Sequence, residues 1–114
     1  MLLENGTHII IDIYDIENNH LLKYESHIYE ILDKIVTNFD LHIVNKVFHQ
    51  FEPYGVTGVY VLAESHLSIH TFVDERKVAM DVYTCKKMDN TDKIIKYIQS
   101  LFGECKIKSC VIER

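Results

Sequence analysis

The stretch Val59-Tyr60-Val61-Leu62-Ala63-Glu64-Ser65-His66-Leu67-Ser68-Ile69-His70-Thr71-Phe72 decides the fold. Val59 to Ala63 is a continuous apolar run. Leu67 to Phe72 alternates, as a strand buried on one face would. The two runs read as two strands meeting around Glu64-Ser65.

Working outward, Val78 to Thr84 is another strand beyond a charged loop at Val73 to Lys77. Upstream, Leu41 to Phe51 reads as a long strand, followed by a turn or tight loop from Pro53 to Gly58. Isoleucine-rich His8 to Tyr14 makes the first strand and Lys106 to Ile112 the last. Two segments carry helical spacing instead. In the first, Ser26 reads as the N-cap of Ile28, Ile31, Leu32, Ile35, Val36 and Phe39, and Asp40 ends the helix. In the second, Asn90 or Thr91 caps Ile94, Ile95, Ile98, Leu101 and Phe102, with Gly103 as the C′ residue. The order is βαββ then ββαβ, two similar halves of three strands and one helix each. The predicted fold is α+β: a two-layer sandwich, an antiparallel sheet with both helices on one face. The other face is left for another subunit to cover.

The 114 residues suit one domain, 1–114. With one Pro and four Gly there is no room for a flexible linker. A net charge of −5 argues against nucleic acid as a partner. No apolar run approaches the roughly 20 residues of a membrane span. Met1 to Asn5 lacks the features of a signal peptide, so the cytoplasm is the expected location. Three cysteines without a pairing pattern do not make a disulfide framework. The seven histidines form no HxH pair, and His66 and His70 lie on a strand, so no metal site is predicted.

Individually, the polar residues at the seam have plain readings. Ser65 is a turn serine, His70 a strand histidine, Thr57 a turn residue and Cys85 a core cysteine. Together they form a pattern: Phe48-His49, then Pro53-Tyr54-Gly55-Val56-Thr57-Gly58, then Glu64-Ser65-His66-Leu67-Ser68-Ile69-His70-Thr71, then Thr84-Cys85. This ordered set, with weaker similarity from Gly6 to Tyr14, resembles the small prokaryotic S-adenosylmethionine decarboxylases, which are pyruvoyl enzymes.

The resemblance implies a self-processing proenzyme. The Glu64–Ser65 bond would break, giving a β chain of residues 1–64 and an α chain of residues 65–114. Ser65 would become a covalent pyruvoyl group, the cofactor that holds the substrate amine as a Schiff base. His70 is then the proton acceptor of processing, Thr57 its hydroxyl support, and Cys85 the proton donor to the substrate carbon after CO₂ leaves. Phe51 and Phe72 would flank an adenine and Asp74 would bind ribose. His66 either lines the site or packs. Cys105 and Cys110 are read as structural. Phe72 and Val73-Asp74 stand where the family usually has Trp and Pro-Glu. The alternative is therefore an arginine or ornithine decarboxylase of the same fold, with Asp74 or Glu75 on the distal cation. Small members of the family are homodimers of αβ protomers, with sites built from both copies, and the product feeds spermidine synthesis.

One geometric tension is visible in the numbering. On a regular strand an offset of five puts Ser65 and His70 on opposite faces. Either the chain bends near Ser65 or Ser65 precedes the strand.

Overall fold

The computed structural model describes residues 6–114; Met1 to Asn5, read above only for leader features, lie outside them. Six strands and two helices follow one another: β1 (Thr7–Tyr14), α1 (Glu25–Asn38), β2 (Ile43–Gln50), β3 (Val56–Leu62), β4 (Ser65–Phe72), β5 (Lys77–Thr84), α2 (Thr91–Ser100) and β6 (Lys106–Glu113). A single 3-10 turn at Asn19–Leu22 lies between β1 and α1. The strands form one sheet in the order β2-β3-β4-β5-β1-β6, every neighbouring pair antiparallel. This is the predicted α+β sandwich.

Period-2 patterning sets which face is covered. Ile9, Ile11 and Ile13 of β1, Leu67 and Ile69 of β4, and Val78, Met80 and Val82 of β5 all point to one side and are buried. They meet Ile28, Ile31, Leu32, Ile35 and Val36 of α1 and Ile94, Ile95 and Ile98 of α2 in one continuous core. Among the described residues no helix covers the other side. It presents Ile10, Val47, Val61, Phe72 and Ile112, all substantially exposed. In its middle sit His8, His66, Ser68 and Asp81, joined by hydrogen bonds.

Several boundaries differ from the sequence reading, each for a local reason. Helix α1 starts at Glu25, not behind a Ser26 cap, and its cap residue is Tyr24, with no side-chain hydrogen bond. The missing acceptor comes from β2: the Glu25 N–H donates to Gln50 Oε1 at 2.7 Å. The same Gln50 side chain donates to the Lys23 and Gly55 carbonyls, so one amide ties the start of α1 to the loop after β2. At its other end α1 stops as predicted. Asp40 takes the left-handed conformation, and the Leu41 and Asp40 N–H groups donate back to the Val36 and Thr37 carbonyls.

The loop after β2 is shorter than expected, and Thr57 and Gly58 belong to β3. Gly58 is a packing glycine rather than a turn glycine. A Cβ there would lie 2.8 Å from the Phe48 ring, which crosses it and stacks on Tyr29. Nearby, the buried Tyr60 hydroxyl donates to Asp33, and burial, then this carboxylate, pushes it above its ordinary range.

Candidate active site

Strand β4 carries the predicted chemistry at both of its ends. Ser65 is its first residue, paired with Leu62 on β3 and Thr84 on β5. The register from Ser65 to Phe72 runs without a bulge. The tension in the numbering is thus resolved by separation. Five strand steps place Ser65 and His70 roughly 16 Å apart along β4 and on opposite faces.

At the Ser65 end, two residues, Ala63 and Glu64, connect β3 to β4. Glu64 sits at φ 59°, a left-handed conformation that costs a side-chain-bearing residue about 1–2 kcal/mol. Two backbone bonds hold the turn: Ala63 N–H donates to the His42 carbonyl at 2.9 Å, and Cys85 N–H donates to the Glu64 carbonyl at 3.2 Å. The Ser65 hydroxyl donates to the Ala63 carbonyl at 3.1 Å, which keeps Oγ beside the Glu64–Ser65 bond. The turn opens on a cleft of about 220 Å³ whose walls include Asp40, His42, Thr84 and Lys86. Cys85 is half-buried beside Tyr83, whose hydroxyl is raised above its usual range by the hydrogen bond to Cys85.

At the far end, Thr57 and His70 are cross-strand partners, and Thr57 Oγ1 and His70 Nδ1 share a hydrogen bond of 3.1 Å. Both side chains lie on the open face. The predicted substrate residues gather at this end too. Phe51 follows β2, Phe72 closes β4, and both rings are exposed. The Lys77 ammonium lies over the Phe72 ring at 5.0 Å. Asp74 accepts a hydrogen bond of 2.6 Å from the Tyr54 hydroxyl. Tyr54 was not singled out in the sequence; its place in the Pro-Tyr-Gly loop was the available signal.

One chain therefore brings Ser65, Glu64 and Cys85 together at one end and Thr57, His70, Phe51, Phe72 and Asp74 together at the other. His66 lies on the side of β4 opposite Ser65 and bonds Asp81 instead. Cys105 packs against the core, its thiol raised by burial. Cys110 is exposed on β6, so packing gives it no structural role.

A sequence profile described as S-adenosylmethionine decarboxylase matches residues 7–114. The chain belongs to this family. It is 38% identical over 109 residues to an S-adenosylmethionine decarboxylase proenzyme of Persephonella marina, an alignment spanning 96% of this chain and 81% of the relative. A proenzyme of the same name from Clostridium botulinum (strain Langeland) is 34% identical over 106 residues, spanning 91% and 90%. The crystal structure of the adenosylmethionine decarboxylase from Aquifex aeolicus superposes with a TM-score of 0.87 at 31% identity. That match covers 99% of this chain and 92% of the other. These relatives are named for adenosylmethionine; the arginine or ornithine alternative gains no support from them. No helix among the described residues is long and apolar enough to cross a membrane.

Proposed function

We propose that the chain is a self-cleaving proenzyme that becomes a pyruvoyl-dependent S-adenosylmethionine decarboxylase (a carboxy-lyase) acting in the cytoplasm to supply polyamine synthesis. The observation that carries this reading is the Glu64–Ser65 junction. A left-handed Glu64 precedes a serine whose hydroxyl is held at the bond, and the Glu64 carbonyl already accepts a backbone N–H.

Ser65 Oγ attacks the Glu64 carbonyl carbon, the Glu64–Ser65 C–N bond breaks, and an ester replaces the amide. Negative charge grows on the Glu64 oxygen during the attack. The Cys85 N–H at 3.2 Å is a fixed donor to that oxygen, and the bond tightens as charge develops. Loss of the Ser65 Cα proton then expels Glu64 as a carboxylate, leaving dehydroalanine at position 65. Tautomerisation and hydrolysis, with loss of ammonia, leave a ketone at the head of the α chain.

The proton acceptor is His70. Its neutral ring has one donor and one acceptor nitrogen. If Nδ1–H donates to Thr57 Oγ1, Nε2 is left free to take a proton. In that tautomer Thr57 orients the His70 ring with Nε2 as its base. His70 cannot reach Ser65 of its own chain, so we infer that the site forms between two copies related by a twofold axis. A twofold axis that places one protomer's Ser65 end against its partner's His70 end makes two equal sites. The exposed apolar side chains of the open face are the surface such a homodimer would bury.

Ser65 also fits the pyruvoyl group itself, since it opens on the cleft and is anchored by strands on both sides. That group supplies a carbonyl that captures the substrate amine and accepts the electrons released with CO₂. The Cys85 thiol, half-buried next to the Glu64–Ser65 junction, is the group that would return a proton to the substrate carbon. Phe51 and Phe72 stack on the adenine, Asp74 holds the ribose, and Tyr54 orients Asp74.

Intact mass spectrometry of purified protein tests the reading. Two chains, 1–64 and a ketone-headed 65–114, are expected, and Ser65→Ala should give one. A single full-length wild-type chain after long incubation overturns it. CO₂ release from labelled adenosylmethionine, with none from arginine or ornithine, tests the substrate separately.

A further inference from the structure

Among the described residues, one group of metal-ligating side chains converges on a point, and it lies outside the machinery above. It consists of His8 on β1, His66 on β4 and Asp81 on β5, with ligand atoms all within 4.8 Å of one another. Strand register brings them together. His8 and His66 are both cross-strand partners of Tyr83, from opposite sides of β5, and Asp81 lies two residues along on the same open face. His8 Nε2 and His66 Nε2 lie 2.7 and 2.8 Å from the same oxygen, Asp81 Oδ2. The Ser68 hydroxyl donates to the other oxygen, Oδ1.

We propose that His8 Nε2, His66 Nε2 and Asp81 Oδ2 form a binding site for one divalent transition-metal ion of the zinc type. The donor set points to that class. Two imidazoles and one carboxylate suit zinc, cobalt or iron(II), whereas magnesium and calcium prefer oxygen ligands. The spacing is close to what is needed. Ligands about 2.0–2.1 Å from a tetrahedral ion stand roughly 3.3 Å apart, so the two imidazole–carboxylate separations have to open by about half an ångström, with the three ligand atoms already within 4.8 Å of one another. The surrounding contacts are those of a built site. Ser68 fixes the carboxylate so that Oδ2 is the oxygen presented, as partners of metal-bound carboxylates do. The three ligands stand on three directly paired central strands, which hold their spacing. A fourth position points away from the helices, toward the open face. The residue numbers 8, 66 and 81 match no short ligand motif, which is why the sequence predicted no metal.

The competing reading is a triad held by hydrogen bonds alone, with both imidazoles donating to Asp81. Metal content separates the two. Full-length protein in its assembled state is stripped with chelator, dialysed against zinc and analysed by mass spectrometry, with Ser65→Ala run in parallel so that the outcome does not depend on self-cleavage. About one ion per chain is expected at micromolar free zinc. Cobalt should give visible ligand-field bands without the sulfur charge-transfer band of a cysteine site. His8→Gln and His66→Gln should each weaken binding more than about 100-fold, and Ser68→Ala by about 10–100-fold. Zinc should raise the Tm of the wild type and leave that of His66→Gln unmoved. Should His8→Gln fail to fold, His66→Gln carries the test, since its side chain is 41% exposed. No ion retained, or equal retention by the histidine variants, overturns the proposal; the second outcome would place the metal elsewhere on the chain.

Discussion

The two ends of β4 are built differently. The Ser65 end is a turn with a strained backbone, where main-chain groups do most of the holding: Glu64 at φ 59°, the Cys85 N–H and the Ala63 carbonyl. The His70 end is regular strand, where side chains do the holding: Thr57 on His70 and Tyr54 on Asp74. The first holds the bond proposed to break, in a cleft whose walls include His42 but not His70. The second holds His70, the proposed base, and the exposed aromatic rings. A strand of fixed length keeps the two ends apart.

Breaking the His70 end should have the largest effect. His70→Ala is expected to slow cleavage by about 10²–10⁴-fold, the usual worth of a positioned base, read as the rate of full-length loss on a gel. The division between copies then becomes testable by mixing. When Ser65→Ala and His70→Ala chains are coexpressed in equal amounts, about half of the His70→Ala chains should cleave, because random pairing puts half of them beside an intact His70. No rescue would place both ends of the site in one chain.

Breaking Cys85 should split its two groups. Cys85→Ala keeps the backbone N–H on the Glu64 carbonyl, so cleavage should proceed at a rate near that of the wild type. Without the thiol, kcat should fall by about 10²–10⁴-fold. Equal losses in both steps would mean that the side chain serves processing as well.

A smaller effect is expected at the aromatic wall. Phe72→Ala should raise KM for adenosylmethionine about three- to tenfold, from lost stacking of roughly 0.5–1.5 kcal/mol, and leave cleavage unchanged. A change in cleavage would mean that Phe72 positions His70.

The smallest effect lies between the two ends, at Asp81. Burial raises this carboxyl, but the Ser68, His66 and His8 hydrogen bonds outweigh it and hold the group below the ordinary carboxylate range. A depressed folded value stabilises the protein above the unfolded value, about 3.9, and that stability is lost as pH falls through the folded one. In chelator, the uncleaved Ser65→Ala chain should therefore lose Tm below about pH 4 more steeply with Asp81 than with Asp81→Asn. Parallel acid limbs would count against these bonds.

Much of this was legible in the residues. The alternation from Leu67 to Phe72 and the isoleucines of β1 gave the strands, and the spacing from Ile28 to Val36 gave α1. The misread places are those where a distant side chain acts. Gln50 caps a helix that Ser26 was expected to cap, and Phe48 needs the bare Cα of Gly58, which makes that glycine look like a turn residue. The seam motif singled out Ser65, His70 and Cys85 as candidates, and the offset of five already showed that two of them face opposite ways. The His8, His66 and Asp81 cluster was hidden because register, not spacing, assembles it. The visible clue was a lone carboxylate amid Val78, Met80 and Val82.

The strand order carries one more consequence. Residues 1–64 supply β1, β2 and β3, and residues 65–114 supply β4, β5 and β6. In the sheet, β1 lies between β5 and β6, so the pieces interleave along three seams: β3 with β4, β5 with β1, and β1 with β6. A cut at Glu64–Ser65 leaves two chains that stay clasped while native. Once unfolded, they must find each other again, so refolding changes from a first-order event to one that depends on concentration. If the proposed cut is made, the chain can fold as one piece only before it, and each cleaved piece would depend on the other to regain the structure.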